Sequence, residues 1–165
     1  MLTLFFGLGN YGKEYDDTRH NIGQDFLNYL NDSKWKSDKK RKYYIKNYAD
    51  TITLIKNKGF INNSGETLKD FIDYVGDIHG LIVIHDDITI PLGTIINSFG
   101  GSSSHNGVKS INAIRDNPYT RIRLGIGRPD NGSVVDWVLG KFSKEELKKV
   151  DEMFIEAKSI LENYL

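Results

Sequence analysis

Leu2-Thr-Leu-Phe-Phe6 is a continuous apolar run that breaks inside Gly7-Leu-Gly-Asn-Tyr-Gly12. An apolar run of this length stopped by glycines predicts a buried strand feeding a loop. Downstream, Ile22, Phe26, Tyr29 and Leu30 recur at helical spacing. Tyr43 to Tyr48 and Thr51 to Ile55 are β-rich runs separated by Ala49-Asp50, the pattern of a hairpin. Leu68, Phe71, Ile72 and Val75 mark a second helix, and Leu81 to Ile84 a second buried strand with Thr94 to Phe99 as its antiparallel partner. Arg121 to Ile126 is a third segment of this kind, ending in Gly-Ile-Gly. From Ser143, the series Leu147, Val150, Met153, Phe154, Ala157, Ile160, Leu161, Tyr164 describes an amphipathic helix opened by a Ser143/Glu146 capping box. Strands alternating with helices predict an α/β fold: a single three-layer α/β/α domain over residues 1–165, with a mixed, mostly parallel twisted sheet.

Composition narrows the chemistry. The 165 residues are 39% hydrophobic, enough for one core. Lys plus Arg total 22 and Asp plus Glu total 22, so nucleic-acid contacts must come from a local patch rather than net charge. With no cysteine, disulfides, thiolate metal sites and thiol nucleophiles are excluded, which leaves His, Asp, Asn, Ser and backbone. The first ten residues lack the basic flank of a secretion signal, and the apolar runs are too short to span a bilayer; a cytoplasmic protein without membrane contact is expected.

Polar residues collect just past the expected strand ends: Asn10 after the first, His85-Asp86-Asp87 after the second, Arg128 after the third. Open α/β sheets bind ligands there. Several chemistries compete for the place. Gly7-x-Gly9-x-x-Gly12 matches a dinucleotide motif, but Lys13 to His20 is a polar stretch, where that motif must open directly into a helix. His20, His85 and His105 with Asp86 and Asp87 are possible zinc or manganese ligands, although no two histidines stand at ligand spacing on one element; a His-carboxylate couple acting as general base demands less geometry. Ser102-Ser-Ser104 lacks the G-x-S-x-G elbow of a serine hydrolase, and a Gly-Ser loop entering a helix at Asn106 offers free backbone amides instead. The basic run from Lys34 to Lys42 and a second group comprising Lys109, Arg115, Arg121, Arg123 and Arg128 are the two candidate phosphate-binding flanks.

Taken together, Gly7-Leu-Gly-Asn10, Tyr15-Asp-Asp-Thr-Arg-His20-Asn21-Ile-Gly23, Phe60-Ile-Asn62-Asn-Ser-Gly65, His85-Asp-Asp-Ile-Thr-Ile-Pro-Leu-Gly93, Gly101-Ser-Ser-Ser-His105-Asn106-Gly107, Arg123-Leu-Gly-Ile-Gly127-Arg-Pro129 and Val138-Leu-Gly-Lys-Phe142 resemble bacterial peptidyl-tRNA hydrolase, in that family's order and over almost the whole chain. The resemblance implies hydrolysis of the ester between a peptidyl carboxyl and the terminal ribose of tRNA, without metal or organic cofactor; a monomer is expected. It implies that His20 is the catalytic base and Asp86 its partner, and that Asn10, Tyr15, Asn62, His105 and Asn106 handle substrate; Lys109, Arg123 and Arg128, near the Asn106 helix and the Gly-Ile-Gly turn, are expected to meet tRNA phosphate. Four departures stand out: Tyr11 for the usual proline, Ile61 for methionine, Ser103-Ser104 for glycines, and Asn97 where a basic residue often grips phosphate. The fold also resembles a chloroplast intron-splicing factor derived from these hydrolases, a binding module that turnover would distinguish from an enzyme.

Overall fold

A computed structural model describes residues Met1–Leu165. Its strands are β1 (Thr3–Gly7), β2 (Tyr43–Ala49), β3 (Ile52–Asn57), β4 (Gly80–Asp87), β5 (Ile95–Phe99) and β6 (Thr120–Gly125). Its helices are α1 (Ile22–Leu30), α2 (Ser64–Val75), α3 (Asn106–Ile114), α4 (Val134–Leu139) and α5 (Lys144–Glu162). The strands form one sheet in the order β2-β3-β1-β4-β6-β5. The pairs β3/β1, β1/β4 and β4/β6 are parallel, while β2 and β5 run antiparallel at the edges. This is the expected mixed α/β architecture.

Side chains alternate across the central strands because Cβ direction alternates along a strand. Phe5 on β1, Ile82 and Ile84 on β4 and Leu124 on β6 meet Ile22, Phe26 and Leu27 of α1 and Met153 and Phe154 of α5. Leu4 and Phe6, with Leu81 and Val83, face the other way, onto Leu68 and Phe71 of α2 and Val108 and Ile111 of α3. The Leu2 to Phe6 run is thus continuous because both faces of β1 are covered. Burying each such side chain contributes about 1.5–3 kcal/mol. Helices approach the sheet and one another closely at two glycines. A Cβ on Gly23 would be driven into the Ile84 carbonyl, and one on Gly65 into that of Ser110.

Three details depart from expectation. Thr94 to Phe99 does pair antiparallel, but with β6 rather than with the Leu81 strand. β6 buries Arg121, Ile122, Leu124 and Gly125 and takes the interior place, whereas β5, with Ile96, Asn97 and Phe99 exposed, suits an edge. The hairpin turn lies one residue later than Ala49-Asp50, since β2 extends through Ala49 and its register shifts between Asn47 and Ala49. The short helix α4 carries no sequence periodicity long enough to announce it. The capping box forms as expected, with Ser143 Oγ accepting from Glu146 N at 3.2 Å and Glu146 Oε1 from Ser143 N at 2.9 Å. No helix is long and apolar enough to cross a membrane.

Candidate active site

The parallel strands bring the carboxyl ends of β1, β4 and β6 to one edge. α1 follows β1 on one face of the sheet and α2 follows β3 on the other, opening a crevice of the kind that holds ligands in such folds. After Gly12 come only the short turns Lys13–Tyr15 and Arg19–Asn21, with α1 beginning at Ile22, so the glycine motif opens no phosphate-binding helix.

The Arg19–Asn21 turn assembles the site. The Asn21 carboxamide is fully buried and clamps the Asn10 backbone, accepting from Asn10 N at 2.8 Å and donating to Asn10 O at 2.9 Å. Asn10 Oδ1 in turn accepts from Ile61 N at 2.7 Å, leaving its Nδ2 as the donor without a protein partner. Arg19 faces the opposite direction. Its guanidinium lies 3.7 Å over the Trp137 ring of α4 and donates to Trp137 O at 3.2 Å and Glu146 Oε1 at 2.9 Å. Thus Glu146, read from sequence only as a cap, also ties α5 to the turn that carries His20.

Between these anchors, His20 Nδ1 lies 2.8 Å from Asp86 Oδ2. Asp86 is 2% exposed, and its other oxygen lies 2.8 Å from His105 Nε2. Burial alone would raise the Asp86 pKa, but the two histidines outweigh it and hold the carboxyl well below the usual range. For His20, burial would lower the pKa, and the charge and hydrogen bond of Asp86 outweigh that, leaving it raised above 6.5. His85 points into the core, with Nδ1 2.8 Å from Asp86 O and Nε2 3.1 Å from Arg121. Burial, with His105 nearby, drives its pKa down to about 3, so at neutral pH it is a neutral structural group.

A cleft of about 350 Å³ opens over this couple. Of the residues expected from sequence, Asn10, Tyr15, His20, Asn62, Asp86, His105 and Asn106 all line it. Lys109, Arg123 and Arg128 do not. Lys109 and Arg128 are exposed, whereas Arg123 is tied to Asp87 through Nε at 2.9 Å. His105 has no ring nitrogen free for substrate, because Nδ1 accepts from Gly107 N and Val108 N at the start of α3. Ser103 lines the cleft, but its Oγ accepts from His105 N at 3.0 Å, a loop-closing contact. Ligand atoms of His20, Asp86 and His105 lie within 4.8 Å of one another, but both imidazoles direct a nitrogen at Asp86, and the caps on His105 Nδ1 require its proton on Nε2. The trio is arranged as a hydrogen-bonded chain.

Sequence reading missed Arg19 and Asn21 as site builders, although both stand in the T-R-H-N string, and it missed the apolar wall of Ile88, Val134, Val135, Val138 and Leu139. The signal for that wall was the Val138 to Phe142 segment, too short to show a period.

The family model for peptidyl-tRNA hydrolase matches residues 4–165. The chain belongs to the peptidyl-tRNA hydrolase family. The peptidyl-tRNA hydrolase of Campylobacter fetus subsp. fetus (strain 82-40) is 40% identical over 161 residues, covering 96% of this chain and 88% of the relative. That of Bacillus subtilis (strain 168) is 39% identical over 161 residues, covering 92% and 85%. The crystal structure of peptidyl-tRNA hydrolase from Acinetobacter baumannii superposes with a TM-score of 0.85 at 30% identity, covering 96% of this chain and 85% of that one. Peptidyl-tRNA hydrolases cleave peptidyl-tRNA to release peptide and tRNA; this member is a hydrolase acting on ester bonds with peptidyl-tRNA as substrate.

Proposed function

We propose that His20 is the general base of this hydrolysis and Asp86 its orienting partner. The observation that carries this is the 2.8 Å His20 Nδ1 to Asp86 Oδ2 contact beneath the cleft, with His20 Nε2 left unpartnered. With Nδ1–H donating to the Asp86 carboxylate, the imidazole keeps its Nε2 lone pair for water. That water loses a proton to Nε2 and attacks the ester carbonyl, and Asp86 stabilises the imidazolium as it forms. The proton then passes to the departing ribose oxygen. Asn10 Nδ2, Asn62 and Asn106 supply amide donors and acceptors suited to a peptide backbone whatever its side chains, and one donor toward the developing oxyanion contributes to rate. Tyr15, edge-on to Phe60 at 6.3 Å, lines the same cleft.

Exposed Lys109 and Arg128 are the proposed tRNA contacts, with Arg123 contributing only as far as Asp87 releases it. We propose further that residues 1–165 act as one unit and as a monomer in the cytoplasm, with no metal; the sheet draws strands from Thr3 to Gly125, and α5 packs on the same core as α1. The test is release of the acylated amino acid from N-acetyl-aminoacyl-tRNA by the purified protein, with and without chelator. Turnover insensitive to chelator supports the reading. Binding without turnover would make the chain a binding module, and chelator-sensitive turnover would make it a metallohydrolase.

A further inference from the structure

Asp86 is shared by two imidazoles, and they are not equivalent. His20 offers its Nε2 to the cleft, whereas His105 has both nitrogens engaged inside the protein. His105 is the residue before α3, and its side chain replaces the usual Ser, Thr, Asp or Asn as helix cap: Nδ1 accepts from Gly107 N at 3.0 Å and Val108 N at 3.4 Å. Two backbone N–H groups on Nδ1 require a bare lone pair there, so the ring proton sits on Nε2 and is donated to Asp86 Oδ1. The helix start therefore dictates the tautomer, and the tautomer dictates that Asp86 receives a donor on the side away from His20.

We infer that His105 is a positioning residue that acts through Asp86: locked by the amino end of α3, it holds the carboxylate so that Oδ2 remains on His20 Nδ1. This rests on the His20/Asp86 reading above and assigns His105 a task other than contact with substrate. Without that second donor the carboxylate is free to rotate about its side-chain torsions, and His20 loses both its orientation and part of its counter-charge. The other groups facing the pair are His20 itself, its ring centre 5.1 Å from that of His105, and His85 on β4 at 4.9 Å, which Arg121 of β6 holds from behind. Asp87 follows on β4 but is closed on Arg123 and Thr89. None of these donates to Asp86 Oδ1 in place of His105.

Two substitutions separate the jobs of the ring. His105→Asn keeps a good helix cap but is too short to reach Asp86. His105→Gln places an amide N–H near the position of Nε2 but surrenders the Nδ1 acceptor. With N-acetyl-aminoacyl-tRNA, His105→Asn is expected to lower kcat by about 10-fold or more with KM within about 2-fold, and His105→Gln to recover most of that loss. The acid limb of the pH profile should move to lower pH in His105→Asn, a change that loss of a cap alone does not produce. In an Asp86→Asn background, adding His105→Asn should change kcat by no more than about 2-fold, because the two act as one unit. A rise in KM with kcat retained, or multiplicative losses in the double variant, would make His105 a direct substrate contact and overturn the inference. Wild-type kcat in folded His105→Asn would overturn it as well; if that variant does not fold, a loss of kcat in His105→Gln equal to that of His105→Ala does the same. Absence of turnover by the wild type is distinguishable from all of these and overturns the underlying reading with it.

Discussion

Arg123 and Asp87 form a closed ion pair beside the cleft: Nε donates to Oδ2 at 2.9 Å, while Asp87 Oδ1 accepts from the Thr89 backbone and hydroxyl. Burial alone would raise the Asp87 pKa, but Thr89 and Arg123 reverse that and hold it low. A cation so compensated contributes little to phosphate binding. Lys109→Ala and Arg128→Ala should each flatten the dependence of log affinity for tRNA on log salt by roughly 0.7–0.9, with Arg123→Ala flattening it less. Cleavage of a minimal ester lacking the tRNA body should be nearly unchanged in the Lys109 and Arg128 variants. Neutralising Lys34, Lys36, Lys39 and Lys40 is the control. A flatter slope there, with none at Lys109 or Arg128, would place the tRNA across the β2/β3 flank.

His20→Ala should lower kcat by about 100-fold to 10,000-fold while leaving the fold and tRNA binding intact. Measured turnover near that of wild type in a folded variant would remove His20 from the base role. The raised pKa of His20 also sets a pH dependence. Its base form is the active one, so kcat/KM should fall as pH drops through an acid limb lying above 6.5. In Asp86→Asn the influences that raise His20 are gone and burial, which lowers it, remains; that limb should move below 6.5, alongside a large loss of rate. An unmoved limb would show that Asp86 does not govern the titrating group.

Asn62→Ala and Asn106→Ala should raise the substrate concentration needed by roughly one to two orders, since removing one partner of a buried hydrogen bond costs about 1–3 kcal/mol. Both side chains line the cleft without a protein partner, so thermal stability should stay near that of wild type. Asn10→Ala should differ by also lowering the unfolding midpoint, because Asn10 Oδ1 holds the Ile61 amide at 2.7 Å. Retained discrimination between N-acetylated and free aminoacyl substrates in all three variants would place selectivity elsewhere.

Asp25, on α1, has its pKa pushed up to about 7, first by burial and then by the charges of Asp17 and Asp16, against the attraction of Lys56. A carboxyl that binds its proton more tightly when folded stabilises the protein at low pH and loses that contribution as pH rises from about 4 toward 7. Asp25→Asn should therefore stabilise the protein by about 1–3 kcal/mol at pH 8 and change little at pH 4. Urea unfolding at the two pH values measures this, and equal effects at both would show that Asp25 is not held protonated.

By itself, the sequence determined the elements and the place of the site. Continuous apolar runs marked β1 and β4, the helical period marked α1, α2 and α5, and residues just past parallel strands had to share one edge because the chain crosses back over the sheet each time. The strings around Asn10, His20, Asn62, Asp86 and Asn106 pointed to the chemistry through their resemblance to the peptidyl-tRNA hydrolase family. Tertiary structure decided what each polar atom is free to do. Glu146 caps a helix locally, but only the packing of α4 and α5 hands its oxygen to Arg19. Arg123 counted as a phosphate ligand until the register of β6 against β4 set it opposite His85 and within reach of Asp87. His105 and His20 are both histidines at one carboxylate, and only the position of α3 behind the first makes it a prop and leaves the second its free nitrogen. Hydrogen-bond partnership is a property of three-dimensional neighbours with a fixed number of donors and lone pairs, and local sequence patterns do not specify who those neighbours are.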